Sequence, residues 1–250
     1  LQADFESGRL AESYIFAGPE GVGKKFTALE LAKALACMRS RRESLIPDRA
    51  TSPIPCGECL SCRRIQERTH PDIFVLDFLT QAKILELKDE EAAKQKEFRI
   101  ESIRVLLSRA HISPLEAPKK IFIIDGAEFL SMESANALLK VLEESPKHAV
   151  WFLITKSPER VLATIRSRCR KIWFSPLSPE EIKPILTRLP AGEQDPQALS
   201  KAAEVCNGSV SDAKMILESG ALGFAQMAEA FLNSAGRHSA FQTAQEVVSN

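Results

Sequence analysis

The sequence predicts an α/β fold, with a parallel sheet covered by helices on both faces and a smaller all-helical domain following it. Three observations carry this. Short apolar runs punctuate the first 175 residues, at "YIFAG" (14–18), "DIFVL" (72–76), "IFIID" (121–125), "VWFLI" (150–154) and "KIWF" (171–174). Stretches with apolar residues at three- and four-residue spacing lie between them, as in "KKFTALELAKALAC" and "SMESANALLKVLEE". Strand signals then cease at the proline-marked segment "SPLSPEE" (175–181), and helical patterns take over. Strands that alternate with helices pair in parallel, and such sheets bind ligands at the carboxyl ends of their strands.

Composition narrows the function classes. A chain of 250 residues buries enough surface for a core without staples. Its 33 Lys and Arg balance 33 Asp and Glu, so no global field draws it to nucleic acid or anionic membrane. No apolar run reaches the roughly 18 residues of a membrane span, and the start "LQADFESGRL" lacks a signal layout. A cytosolic protein without membrane contact is expected. The first residue is leucine rather than methionine, which reads as a fragment.

The first strand runs into "GPEGVGKK" (18–25), which fits the phosphate-loop pattern G-x-x-x-x-G-K-[ST] up to its last position. Strand, glycine turn (Gly18, Gly21, Gly23) and a helix from Lys24 make the context in which backbone N–H groups cradle phosphate. Lys25 stands where a hydroxyl should hold magnesium, and an ammonium has no lone pair to offer. Thr27, two residues on, lies on the far side of the helix. Nucleotide binding through the backbone and Lys24 remains open, while magnesium-assisted hydrolysis is expected to be impaired.

Cys56, Cys59 and Cys62 follow at the spacing that lets thiolates converge on one metal ion. Cys37, at the end of the preceding helix, is the best fourth ligand. A closed four-thiolate site is structural, because it leaves no position for water. Farther on, "LKDEEAAKQKEFR" (87–99) is charged and shows no apolar face, so a solvated helix or mobile loop is expected. The third strand ends in Asp125, placed for a metal or its water, but Gly126 follows with no carboxylate to act as a base.

Together, the phosphate loop, the cysteine cluster, "ANALLKVLEE" (135–144) and "VLATIRSRC" (161–169) resemble the bacterial clamp-loader branch of the AAA+ proteins, from about Arg9 to Leu217. The resemblance implies an AAA+ P-loop domain with a five-stranded parallel sheet over residues 1–175, and a zinc module at about 37–68 within it. It further implies a helical lid over 176–220 and the start of a helical collar over 221–250. In that family the "SRC" element, here Ser167, Arg168 and Cys169, carries an arginine finger that reaches the ATP site of a neighbouring subunit. Lys156 occupies the position that senses the γ-phosphate, with Thr155 beside it, and Ser211 in "GSVSDA" (208–213) replaces the arginine of the lid.

These departures match the non-hydrolysing delta-prime branch of the family. The implied partners are gamma/tau and delta subunits, with the sliding clamp and primed DNA met through the complex. The implied cofactors are structural zinc and, at a degenerate site, ATP or ADP. Two rivals remain: a gamma/tau-type motor, and a zinc-dependent nucleic-acid-binding protein using Arg63, Arg64 and Arg68. A small-molecule kinase founders on the missing magnesium hydroxyl, and His70, His111, His148 and His238 read as structural or solvated.

Overall fold

A computed structural model describes residues 10–39, 55–188 and 195–219 of the chain. Of these residues, those up to Pro19 and Gly23–Phe174 form one compact unit, and Glu20–Val22 with those from Ser175 onward form a second. The expected collar segment, 221–250, lies outside the described residues.

The first unit is built on a five-stranded sheet in the order β2-β3-β4-β1-β5. Its strands are β1 (Ser13–Ala17), β2 (Ile73–Leu76), β3 (Lys120–Asp125), β4 (Ala149–Thr155) and β5 (Arg170–Trp173), and every pairing is parallel. Each strand coincides with one of the apolar runs. Alternate residues serve opposite faces, because successive side chains in a strand point apart. Ile15, Phe122, Ile124, Trp151 and Leu153 enter one core cluster, while Tyr14, Phe16, Ile121, Ile123, Val150 and Phe152 enter another.

Helix α1 (Lys24–Ala36) and α2 (Leu60–Gln66) lie against the second of these faces. Ala28, Ala32 and Ala36 recur every fourth residue on α1, so its backbone approaches the strands closely. Next in the chain after β2 come α3 (Phe78–Ile84), whose Phe78 and Ile84 pack on the first face, and the short α4 (Asp89–Ala93). The first face is covered by α5 (Ile100–Ala110), α6 (Met132–Glu143) and the short α7 (Ala163–Arg166). Phe74, Phe122 and Trp151 are in register across β2, β3 and β4, and their rings stack with centroids 5.1 and 4.2 Å apart. Such cross-strand aromatic pairs fix register as well as burying area.

The second unit packs α8 (Pro179–Arg188), α9 (Pro196–Val205) and α10 (Val210–Glu218) around Ile182, Leu186, Ala202, Ala203, Cys206 and Ala213. Asp195 and Ser209 cap α9 and α10 through Gln197 N–H and Asp212 N–H, as short polar residues do at helix starts.

The charged segment 87–99 departs from expectation. Asp89–Ala93 does form a solvated helix with nothing buried. Phe98, however, is fully buried against Phe78, with ring centroids 4.8 Å apart. The Gln81 side chain donates to Glu97 O and accepts from Arg99 N–H at 2.9 and 2.8 Å, pinning the end of the segment. One aromatic residue in a segment of thirteen does not register as a helical face, yet it suffices as an anchor. His148, which reads as exposed in the sequence, is half-buried, with Nε2 3.0 Å from Ala110 O.

Candidate functional site

The loop after β1 leaves the carboxyl edge of the sheet between β4 and β5, since Ala17 pairs with Thr155 on one side and Trp173 on the other. Gly18 has φ 152° and a Cβ there would collide with the Phe174 carbonyl, so only glycine fits. Gly23, at φ 89°, caps α1 with no side-chain acceptor, which leaves the first helical N–H groups to the loop. Gly21, at φ 75°, falls in the second unit, where its carbonyl accepts from Val210 N–H at 3.0 Å.

Lys24 is buried and folds back over the loop, donating from Nζ to Gly18 O at 2.8 Å and to Pro19 O. Lys25 points the other way. Its ammonium lies 2.9 Å from Asp77 Oδ2 and 2.9 Å from Asp125 Oδ2. Thr27 turns its hydroxyl back to Gly23 O at 3.0 Å, inside the helix.

Asp77 was not among the residues the sequence singled out. It caps α3, accepting from Thr80 N–H and the Thr80 hydroxyl through Oδ1 at 2.9 and 2.8 Å, and takes Lys25 and Arg68 on Oδ2. The signal was present, because an aspartate follows Leu76 at the end of β2 and another follows Ile124 at the end of β3, and Leu76 pairs with Ile124. That register brings both aspartates to the same end of the sheet, where Lys25 reaches each of them.

Burial alone would raise the Asp77 carboxyl. The hydrogen bond from Lys25, those from Thr80 and the charge of Lys25 outweigh it and hold the carboxyl well below the usual carboxylate range. A depressed folded-state value contributes stability that is complete above the unfolded value of about 3.9 and lost as pH falls below it. The stability gap between wild type and Asp77→Asn is thus expected to be constant near neutrality and to narrow on acidification below about pH 4. Urea unfolding of both proteins across that range checks this.

The position directly after Asp125 offers no acid–base group. Gly126 (φ 107°) has no side chain to offer. Glu128, two residues on, is buried and accepts from Lys156 N–H through Oε1 at 3.3 Å. Thr155 is buried at the end of β4 and Lys156 follows it. Ser211 lies in the first turn of α10. The side chains present do not fit a magnesium ion, because a fixed ammonium already holds the two carboxylates.

Arg168 sits between α7 and β5. Its guanidinium pairs with Glu143 at the end of α6 and donates from Nη1 to Thr164 O at 2.9 Å, with the side chain 34% exposed. Its backbone is fixed by the Ser13 hydroxyl, which donates to Arg168 O at 2.8 Å. Cys169, next to it, is buried, and burial pushes its thiol up to about 11, partly offset by a hydrogen bond from Ser13.

Cys37, just past the end of α1, meets Cys56, Cys59 and Cys62, and all four Sγ atoms lie within 4.8 Å of one another. Gly57 (φ 72°) makes the turn between the first two of the trio, Cys59 caps α2, and Cys59 N–H points at Cys56 Sγ at 3.4 Å. Cys37 Sγ and Cys56 Sγ are 3.6 Å apart. That is near the edge of about 3.8 Å that a tetrahedron with metal–sulfur bonds of about 2.3 Å requires, and far beyond a disulfide bond of about 2.05 Å. Four thiols so placed could hold a zinc ion. Arg64 and Arg68 pair with Glu116 and Asp77 at 2.8 and 2.7 Å, so two of the three nearby arginines are neutralised within the chain.

Comparison with known proteins follows the same lines. A family model described as DNA polymerase III, delta subunit, matches residues 1–178. The chain is 34% identical over 183 residues to the DNA polymerase III subunit delta-prime of Bacillus subtilis, covering 73% of this chain and 48% of that protein. It is 32% identical over 209 residues to subunit tau of Escherichia coli, covering 82% of this chain and 28% of the relative. The chain therefore spans less than half the length of either relative. Among solved structures, a K64R mutant of RuvB from Thermotoga maritima superposes with a TM-score of 0.51 at 14% identity, covering 86% of this chain and 56% of that one. The AAA domain of FIGL-1 in complex with ADP gives 0.51 at 16%, covering 89% and 67%. At such identities the likeness is one of fold, and the fold is that of AAA+ P-loop proteins.

Proposed function

The chain belongs to the DNA polymerase III delta-subunit family of AAA+ clamp-loader proteins, and from this premise we propose that it is a delta-prime-type subunit that does not hydrolyse ATP itself. It lends Arg168 to the ATP site of an adjacent gamma/tau subunit while the assembly, with a delta subunit, opens a sliding clamp and sets it on primed DNA. The observation that carries this reading is the Lys25 ammonium bound to both Asp77 and Asp125, where a hydrolytic site needs a hydroxyl and a metal. Gly126 and Ser211 agree with it.

Sequence identity favours neither subunit type, being 34% to the delta-prime relative and 32% to the tau relative. The distinction rests on side chains. A motor subunit positions magnesium between the nucleotide and a strand-end aspartate, and its lysine cradles the phosphates. Here a lysine already holds the aspartate.

The four-cysteine site binds structural zinc in this reading and takes no part in the reaction. Its thiolates tie the end of α1 to the start of α2. The arginine finger acts by placing a planar, permanently charged guanidinium against the γ-phosphate of the neighbour, where charge accumulates as the phosphoryl group transfers.

Purified chain alone is expected to show no magnesium-dependent ATP turnover. In the reconstituted loader, Lys24→Ala in this subunit should leave DNA-stimulated turnover at the wild-type rate. A loss comparable to that seen on removing a phosphate-loop lysine from an active motor would return the chain to the gamma/tau class.

A further inference from the structure

A missing hydroxyl explains only half of what residue 25 does. A serine or threonine lost to alanine would leave Asp77 and Asp125 facing each other across the carboxyl ends of β2 and β3, two anions in a half-buried setting. Like charges so placed repel. Instead the ammonium of Lys25 stands between them, at 2.9 Å from an oxygen of each. Arg68, beyond the end of α2, adds a second cation to Asp77 at 2.7 Å. Two anions thus meet two cations, and the cluster is neutral without any ion from solvent.

The geometry points to Lys25 as a tethered replacement for a divalent cation. It begins at the position from which the phosphate-loop hydroxyl ligates magnesium and ends on the aspartate that closes β3, so its Nζ takes the place that the metal has in an active loop of this kind. An ammonium offers three donors and no acceptor, and carries its charge wherever the chain fixes it. Magnesium needs six oxygen ligands at about 2.0–2.1 Å and sheds water reluctantly, so it does not displace a cation that is covalently held. We propose that Lys25 closes the Asp77–Asp125 pair to divalent metal, and that this one side chain, not the loss of the carboxylates, makes the loop metal-independent. The inference concerns this chain alone and stands whether or not Arg168 acts on a neighbour.

The test is a restoration. Lys25→Thr returns a hydroxyl and removes the plug, leaving both aspartates in place. With zinc present at one equivalent to occupy the cysteines, manganese is titrated into the whole chain and followed by electron paramagnetic resonance and by thermal melting. Wild type is expected to bind none at this site. Lys25→Thr should take up one ion and gain about 5–10 °C in Tm at about a hundredfold excess over its Kd. The double variant Lys25→Thr, Asp125→Asn should lose the ion and the gain.

Should Lys25→Thr not fold without metal, recovery of its cooperative melt on adding manganese supports the proposal equally, and no recovery overturns it. A folded Lys25→Thr that binds no manganese also overturns it, since the carboxylates would then not form a metal site. Wild type that binds manganese as tightly as Lys25→Thr, with loss on Asp125→Asn, overturns it from the other side by showing that Lys25 excludes nothing.

Discussion

Arg168→Ala in this subunit is expected to lower the DNA-stimulated ATPase of the reconstituted loader while leaving the fold of the chain unchanged. The two halves of that result have separate causes. The backbone of Arg168 is held by Ser13 and by the buried Cys169 beside it, and neither contact involves the guanidinium. The side chain itself reaches Glu143 and Thr164 O at a surface where it is 34% exposed. Removing such a pair changes stability by no more than about 1 kcal/mol, because exposed ion pairs are worth little in water. A guanidinium supplied in trans to a transferring phosphoryl group is worth about 10³–10⁵ in rate. The neighbour's site should therefore lose about three orders of magnitude or more of its own turnover, and the loader as a whole should fall by whatever share that site carries. Lysine at the same position keeps the charge and loses the planar fork, so Arg168→Lys should recover little. Steady-state ATPase with primed DNA and clamp, beside a melt of the isolated chain, measures both. Wild-type turnover in the Arg168→Ala loader would remove the functional proposal, whatever the melt shows.

The fold was legible because its signals are local and redundant. Five apolar runs became five strands, and the glycines of the loop stand where the chain takes positive φ values. Phosphate loop, cysteine trio and the segment around Arg168 are each a few residues long, so spacing alone locates them. What stayed hidden depended on contacts across the sequence. Asp77 is an ordinary helix cap when read along the chain, and becomes part of the loop only because β2 and β3 pair in register. Lys25 could be read as an ammonium in place of a hydroxyl, but not as the partner of two carboxylates, until both were in view. Phe98 disappeared into a charged segment whose helical period it does not follow, although Gln81 and Phe78 make it a fixed point. Opposite signs of the same limitation apply to Arg168: its segment is recognisable, while its pairing with Glu143 in the free chain is a tertiary fact.

Zinc removal carries the largest stability effect expected of this molecule, and its reach is set by the local packing. The segment from Cys56 to Arg68 has one short helix, α2, whose buried apolar anchor is Ile65, with Cys62 buried beside it. Seven helical residues are too few to hold themselves together in water. Burial also pushes the Cys62 thiol up, with its hydrogen bond to Cys59 and the charges of Cys37 and Cys59 adding to it, so a thiolate at that position calls for a cation beside it. A bound zinc reverses that balance and, in small zinc-dependent domains, supplies about 10–16 kcal/mol of apparent binding energy that becomes folding energy. One zinc per chain is expected by metal analysis, and Cys62→Ser or a strong chelator should release it. Amide exchange should then rise over residues 55–68 and at the end of α1, while β1, β3 and β4 keep their protection, because α2 gives their core clusters only Ile65. Arg68 should come away from Asp77 as α2 loosens, yet Lys25 keeps its own hold on both aspartates, so the phosphate loop should retain its exchange pattern. Since ligation requires four deprotonated thiols, zinc should also leave as the pH falls, with protons taken up in its place. A chain that purifies without metal and shows unaltered exchange in Cys62→Ser would mean that the cysteines meet for some other reason, and that α2 is held by Ile65 and Arg68 alone.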